Sequence, residues 1–328
     1  MRLKFAIFSV LLVVLFIADM ALGSTSLQWN DVFTPGSLDR NILLDFRLPK
    51  ALVAVIAGAA LAASGLLMQT IFRNPLAGPY VLGVSSGASL GVAIFMLGTP
   101  LLGSIGVFKD LGVAFAAFVG GAAILFLVMA VSVRIKDIMA VLILGMMFGS
   151  AASALVDILQ YFSNEAALKG FVVWAMGSLG GLSQAKLLIM GSCVCVGLLL
   201  AVISIKSMDI LLLGENYARS MGLRISATRV IIFTATSLLA GSVTAFCGPI
   251  AFLGIAVPHI ARMVFRRADH RVLLPASILI GADLMLLCDI ISGVPGSDLV
   301  LPINTITALF GIPVVIMVVI NSKRGRVM

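Results

Sequence analysis

Charged side chains are scarce in this chain. Asp, Glu, Lys and Arg make up 11% of its 328 residues, where a soluble domain carries about 25% so that its surface can face water. That shortage excludes a water-soluble enzyme, because most of the chain has to face hydrocarbon. Cysteine is sparse too: Cys193, Cys195, Cys247 and Cys288 all lie in apolar stretches. The first two are two residues apart, so on a helix they point to different faces and cannot bridge. A structural disulfide and a zinc site are set aside, and the four read as small packing residues. No Gly-x-x-x-x-Gly-Lys-[Ser/Thr] phosphate loop occurs in the sequence, so the chain does not bind ATP in the usual way. No nucleophile and base fall on facing helices as an intramembrane enzyme would need.

What the chain has instead is apolar length. Hydrophobic residues are 61% of it and the mean hydropathy is +1.19. A spanning helix takes about 20 mainly apolar residues. Such stretches fall near 3–22, 48–71, 80–98, 111–132, 138–161, 185–205, 228–247, 249–265, 272–292 and 303–321. The sequence therefore predicts an all-α integral membrane protein of about ten transmembrane helices, in a single domain over 1–328. Between the fifth and sixth spans, the apolar piece Phe171–Leu179 is too short to cross and reads as a re-entrant or interfacial outer helix at about 168–179. Arg2 and Lys4 ahead of an apolar run ending at Ala21-Leu22-Gly23 resemble a secretory signal peptide. With nine further spans behind it, the segment is read as a retained first helix.

Basic residues test this arrangement. With the N-terminus inside, sixteen of the 22 Lys and Arg fall on the cytoplasmic side, and six (Arg40, Arg47, Lys50, Lys109, Lys169 and Lys186) fall outside. Lys and Arg collect in cytoplasmic loops, so both termini are placed in the cytoplasm. The net charge of +8 is explained there and not by nucleic acid, since no basic run carries interleaved aromatics.

Glycine is plentiful, at 32 copies. Ala57-Gly58-Ala59-Ala60 and Ala62-Ala63-Ser64-Gly65 make the second span nearly smooth on one side, and Gly83, Gly87 and Gly91 form a stripe along the third. Lipid gives helices no hydrophobic reason to associate, so close packing through small residues has to do it. Gly78-Pro79-Tyr80-Val81-Leu82-Gly83 also resembles Gly248-Pro249 followed by Leu253-Gly254. The first copy begins at the cytoplasmic side and the second at the outer side, the pattern of an inverted repeat.

Polar residues inside a membrane are functional candidates, here Asp157, Asp283, Asp289 and His259. A proton-coupled secondary transporter would use such groups as a relay. Asp157 and Asp289 sit near helix ends and His259 beside the basic edge, leaving Asp283 as the deep carboxylate, so structural roles are preferred. The cytoplasmic connector 206–228 is different. It mixes Leu211, Leu212, Leu213, Tyr217 and Met221 with Glu215, Arg219 and Arg224. Glu215 and Arg219 form an i,i+4 pair suited to a short helix, bracketed by Gly214 and Gly222 as cap residues. A solvated connector needs no such apolar set; a surface that docks another protein does.

Six runs remain to be placed: Arg47-Leu48-Pro49-Lys50, the stretch from Met68 to Pro79 with Asn74-Pro75-Leu76 at its centre, Leu82 to Ala88, Gly214 to Leu223, Gly248 to Arg262, and His270 to Pro275. Together they resemble the FecCD-type permeases of bacterial ABC importers, and they cover nearly the whole chain in the right order. The resemblance implies a ten-helix bundle like that of the vitamin B12 importer permease, a type II ABC importer, working as a homodimer with its pathway at the dimer interface. It implies two ABC ATPase subunits, which hold the ATP and magnesium, docked through Gly214, Glu215, Asn216, Ala218, Arg219, Met221, Gly222 and Leu223. A periplasmic or lipoprotein substrate-binding protein would dock on Arg47 and Lys50; where family members commonly carry Arg, Lys50 keeps the charge but lacks the bidentate fork. Asn74, Pro75 and Leu76, with the loop around 134–139, match the cytoplasmic gate, and Phe171, Trp174 and Met176 the pathway entrance. A plain turn would explain Pro75 and Gly78 but would leave Leu76 exposed. The function implied is ATP-driven import of an iron-siderophore complex across the inner membrane, with vitamin B12 or haem as alternative cargo. The chain itself would perform no catalysis and hold no cofactor or metal. From another class, a proton-coupled carrier built on Asp283 is the alternative.

Overall fold

A computed structural model describes residues 1–23, 28–98, 109–132, 135, 137–293 and 299–324. Among them every regular element is helical: α1 Arg2–Ala21, α2 Leu38–Ile71, α3 Val84–Leu97, α4 Lys109–Ser132, α5 Ile138–Tyr161, α6 Glu165–Ala175, α7 Gln184–Ile203, α8 Ile205–Leu212, α9 Glu215–Ser220, α10 Ile225–Cys247, α11 Leu253–Phe265, α12 His270–Ser292 and α13 Ile303–Arg324. Seven of these are long and apolar enough to cross a membrane, and three shorter apolar helices, α3, α11 and Ile303–Val318 of α13, complete the ten expected. Arg134, Lys136 and Arg326 of the inward-facing basic set lie outside the described residues.

Helix α2 is the axis of the bundle, with 83% of its apolar stretch buried. Its smooth side takes two helices at backbone contact. A Cβ on Gly58 would stand 2.2 Å from the Gly281 carbonyl oxygen of α12, and one on Gly65 would stand 1.7 Å from the Gly254 carbonyl oxygen of α11. Pro258 has no N–H to give the Gly254 carbonyl one turn back, and that carbonyl lies against Gly65 instead. The α3 stripe works the same way: a Cβ on Gly91 would be 2.0 Å from the Ala116 carbonyl oxygen of α4, and one on Gly87 2.5 Å from that of Gly120.

Helices α3 and α11, of 14 and 13 residues, reach only about 21 and 20 Å at 1.5 Å per residue. Each is preceded by one of the two Gly-Pro motifs, as a helical turn at Pro79–Leu82 and as non-helical chain at 248–252. The two interruptions meet: the Tyr80 hydroxyl accepts from the Ile250 N–H at 3.3 Å. Irregular backbone is tolerated at membrane depth only when buried in protein or lining a cavity. Discontinuous helices in corresponding places are what the inverted motif pair leads one to expect.

The first helix is fastened at both ends. Lys4 Nζ donates to the Val264 carbonyl at 2.6 Å, and Phe5 and Phe8 pack on the Phe265 ring. At the other end Arg47 donates to the Met20 and Ala21 carbonyls, each at 2.9 Å. The outer helix runs over Glu165–Ala175, a few residues earlier than 168–179, because the Asn164 side chain caps it by accepting from the Ala167 N–H.

Gly65→Val should prevent α11 from seating on α2, lowering stability by about 1–3 kcal/mol or more in thermal unfolding of detergent-solubilised protein. Gly180→Ala, where an added Cβ meets nothing within 4 Å, should leave the transition unchanged. Equal stability of the two variants would refute backbone contact as the basis of the bundle.

Candidate functional site

The 206–228 connector folds as α8 and α9 joined at Gly214. Gly214 adopts φ +119° and Gly222 φ +83°, a region open to glycine and strained for other residues. Both bracket α9 as expected. Ala218 is fully buried and Leu211 nearly so, and these anchor the segment. Leu212, Leu213, Tyr217 and Met221 are exposed, and Asn216, Arg219 and Gly222 join them on the outside. An apolar set is thus presented to the cytoplasm on a small helix held from behind.

What holds it is an ion pair that sequence spacing does not reveal. Glu215 reaches Arg219 at 3.7 Å as expected, but its stronger contact is with Arg229 of α10, at 2.7 Å. Arg229 is buried and also donates to the Ile135 carbonyl at 3.2 Å. Ile135 belongs to the 134–139 loop, of which residues 134 and 136 lie outside those described. The connector is tied to the 74–76 turn as well. Arg73 donates to the Leu211 carbonyl at 2.9 Å, next to Asn74, Pro75 and Leu76. In that turn Asn74 Oδ1 accepts from the Leu76 N–H at 2.9 Å, Leu76 is 41% exposed, and the Pro75 carbonyl meets His259 Nε2 at 2.7 Å. Asp209 of α8 meets His270 Nδ1 at 2.6 Å, while His270 Nε2 lies 2.7 Å from Thr70 Oγ1 of α2. Short polar contacts therefore join the connector to α10 and α12 and, through Arg73, Arg229 and His270, to the 74–76 turn, the 134–139 loop and α2.

At the outer end, Arg47 and Lys50 both contact their own chain. Arg47 holds the end of α1, and Lys50 Nζ lies 2.9 Å from Asp289 Oδ1, with the Asp289 side chain 2% exposed. Asp19 joins these three in lining a cavity of 260 Å³. Asp289, a helix-end residue in the sequence, is thus a buried counter-ion. Of the three entrance residues, Phe171 is buried, its ring centroid 6.0 Å from that of half-buried Trp174, and Met176 is exposed. Asp283 is buried, with both carboxylate oxygens lacking a hydrogen-bond partner among the described residues.

The feature sequence reading misses is a groove of 520 Å³ along α5, lined among others by Tyr80, Ser86, Met146, Ser150, Ser153 and Asp157. Ser150, Ser153 and Asp157 are exposed, and their i, i+3, i+7 spacing sets them on one face of the helix. Small residues form its floor: a Cβ on Gly149 would be 3.3 Å from Gly83 Cα. A carboxylate and hydroxyls on the open flank of a membrane-crossing helix do not face lipid, where unpaired polar groups are costly. They face water or protein.

Comparison with known proteins agrees with this geometry. A family model described as the FecCD transport family matches residues 11–321. The hemin transport system permease protein HmuU of Yersinia pestis is 32% identical over 99% of this chain and 97% of its own length. The vitamin B12 import system permease protein BtuC of Escherichia coli is 34% identical over 96% of this chain and 94% of its own. A solved structure of a metal-chelate type ABC transporter in an inward-facing conformation superposes with TM-score 0.85 at 31% identity, covering 98% of this chain and 99% of that one.

Glu215→Ala should leave the Arg229 charge without its carboxylate partner in a site where its side chain is 7% exposed. A fully buried pair broken this way loses about 3–5 kcal/mol. Glu215 is 22% exposed, so a loss of about 2–3 kcal/mol in unfolding stability is expected after screening. The double variant Glu215→Ala/Arg229→Met should recover much of it. A double variant no more stable than the single one would deny the pair its anchoring role.

Proposed function

The chain belongs to the FecCD transport family and is the multi-pass permease subunit of an ABC importer, and from that premise we propose that it passes a ferric siderophore inward across the bacterial inner membrane as one half of a symmetric pair. The observation that carries this reading is the polar groove on α5. A single chain leaves it open on its membrane flank, and a second copy related by a two-fold axis would close it with the same surface. Two facing grooves then enclose a wet path of hydroxyls and small residues. Such a path binds cargo weakly enough to release it.

The exposed Leu212, Leu213, Tyr217 and Met221 support the docking of an ATPase on each copy, and ATP and magnesium belong to that partner. Its movement would reach the gate turns through Arg73–Leu211 and Arg229–Ile135. A substrate-binding protein approaching from outside would meet Arg47 and Lys50, with Lys50 already drawn to Asp289. Acidic groups on that partner would compete with Asp289 for the same ammonium. Asn74, Pro75 and Leu76 serve as the inner gate, with Trp174 and Met176 near the entrance and Phe171 packing that outer helix in place.

A metal chelate as cargo is supported by the metal-chelate type transporter that superposes on this chain. Haem and vitamin B12 are the alternatives, carried by the relatives from Yersinia pestis and Escherichia coli. The proton-coupled reading gains nothing from the geometry, since Asp283 meets no hydrogen-bond partner among the described residues from which a relay could be built.

The test is uptake into liposomes by the permease assembled with its ATPase and binding protein, comparing labelled ferric siderophore, haem and cobalamin. ATP-dependent accumulation of the siderophore is expected; uptake of cobalamin or haem alone would replace the cargo, and uptake driven by a proton gradient without ATP would overturn the importer reading. In the same preparation Met221→Arg should leave insertion and thermal stability intact while reducing co-purified ATPase about tenfold, as loss of an exposed apolar anchor does.

A further inference from the structure

The groove is charged as well as polar, and its charge bears on cargo if the groove is the pathway proposed for it; the inference rests on that reading. Among the described residues Asp157 is the one charged side chain lining it; the other polar lining is uncharged, from Tyr80, Ser86, Ser150 and Ser153, with no Lys, Arg or His. Asp157 is exposed and stands four residues before the end of α5 at Tyr161, about 6 Å inside the outer end of the helix. No ion pair among the described residues holds it. The nearest helix in sequence, α6, adds exposed Glu165 and Lys169 outside the groove, one of each sign. The two-fold partner would bring a second Asp157 to the same mouth. Fields of one sign are focused in clefts with low-dielectric walls, where they enrich oppositely charged solutes and repel like-charged ones, and rings of carboxylates select cations in channels for this reason.

We propose that Asp157 is a specificity-determining residue, a charge filter at the outer mouth of the pathway, and that the cargo this permease passes is a neutral or cationic metal chelate. A ferric trihydroxamate or a corrinoid belongs to that class. Chelates that present several free carboxylates or carry multiple negative charges do not, and haem with its two propionates is disfavoured.

A binding protein also selects cargo, so the decisive experiment leaves it out. In the permease–ATPase complex in liposomes, with Cys193, Cys195, Cys247 and Cys288 replaced by alanine, Ser153→Cys places a thiol one turn below Asp157. Its reaction rates with a cationic and an anionic methanethiosulfonate of similar size are measured with Asp157 present and with Asp157→Asn. The cation-to-anion rate ratio should fall about fivefold or more on Asp157→Asn, the scale of electrostatic enrichment at a charged cleft. An unchanged ratio overturns the filter while leaving the pathway in place. A thiol that reacts with neither reagent overturns the pathway reading, and the filter with it. Transport by the full complex then checks the cargo class, using one ferric trihydroxamate with its tail amine free, acetylated or succinylated. Uptake of the free-amine form should exceed that of the succinylated form about fivefold, and Asp157→Asn should reduce the difference to less than about twofold. Equal uptake of the three by the native chain contradicts the proposal.

Discussion

Contact between backbones is the constraint on which the rest of this molecule depends. At Gly65 the carbonyl of Gly254 occupies the place a Cβ would take, and at Gly58 the carbonyl of Gly281 does the same. Lipid offers helices no hydrophobic reason to associate, so α2 gathers α11 and α12 by removing side chains from the seam. The same seam brings the Gly-Pro interruption before α3 against the one before α11, where Tyr80 and Ile250 meet. Because α3 starts late, its first residues and the glycine-floored flank of α5 leave room for a groove. The polar groove is thus a consequence of how tightly the apolar helices pack.

A second set of contacts converts that packing into a mechanism. The cytoplasmic connector is apolar outside and polar behind. Behind it, Glu215 binds Arg229, Arg229 reaches Ile135 at the foot of α5, and Arg73 beside the Asn74-Pro75-Leu76 turn reaches Leu211. In the mechanism proposed, displacement of α9 by an ATPase would pull on the helix that carries the groove and on the 74–76 turn. The permease needs no catalytic group for this. It needs a lever whose polar ties are short and shielded, since exposed ion pairs contribute little.

The spans are legible in the sequence because a bilayer imposes length and apolarity on each, and their ends fall within a few residues of expectation except at the start of α2, where helical chain already begins at Leu38, ten residues earlier. The short helix of the connector is legible for a local reason: Gly214 and Gly222, both at positive φ, bracket it as cap residues. The glycine seams can be seen as stripes but not assigned to partners, since nothing in Gly65 names Gly254. Glu215 shows why local spacing is insufficient. Its neighbour at i+4 is the weaker contact, and the stronger one is fourteen residues away across a turn. Asp157 is visible too, but its place near a helix end points to a structural role. Taken together with Ser150 and Ser153, its spacing marks one polar face, the signal that depth alone conceals. Lys50 reads as an outward charge, and its buried partner Asp289 becomes apparent only when α2 and α12 are side by side.

The central claim is that the polar face of α5 lines an aqueous path shared by two copies of this chain. The most direct measurement is cross-linking in native membranes of a Ser150→Cys variant otherwise free of cysteine, using a short water-soluble bis-thiol reagent. A covalent dimer is expected, with cross-linking suppressed by prior treatment with a membrane-impermeant maleimide. Labelling by lipid-soluble maleimide alone, with no dimer formed, would place this face against lipid and contradict the account.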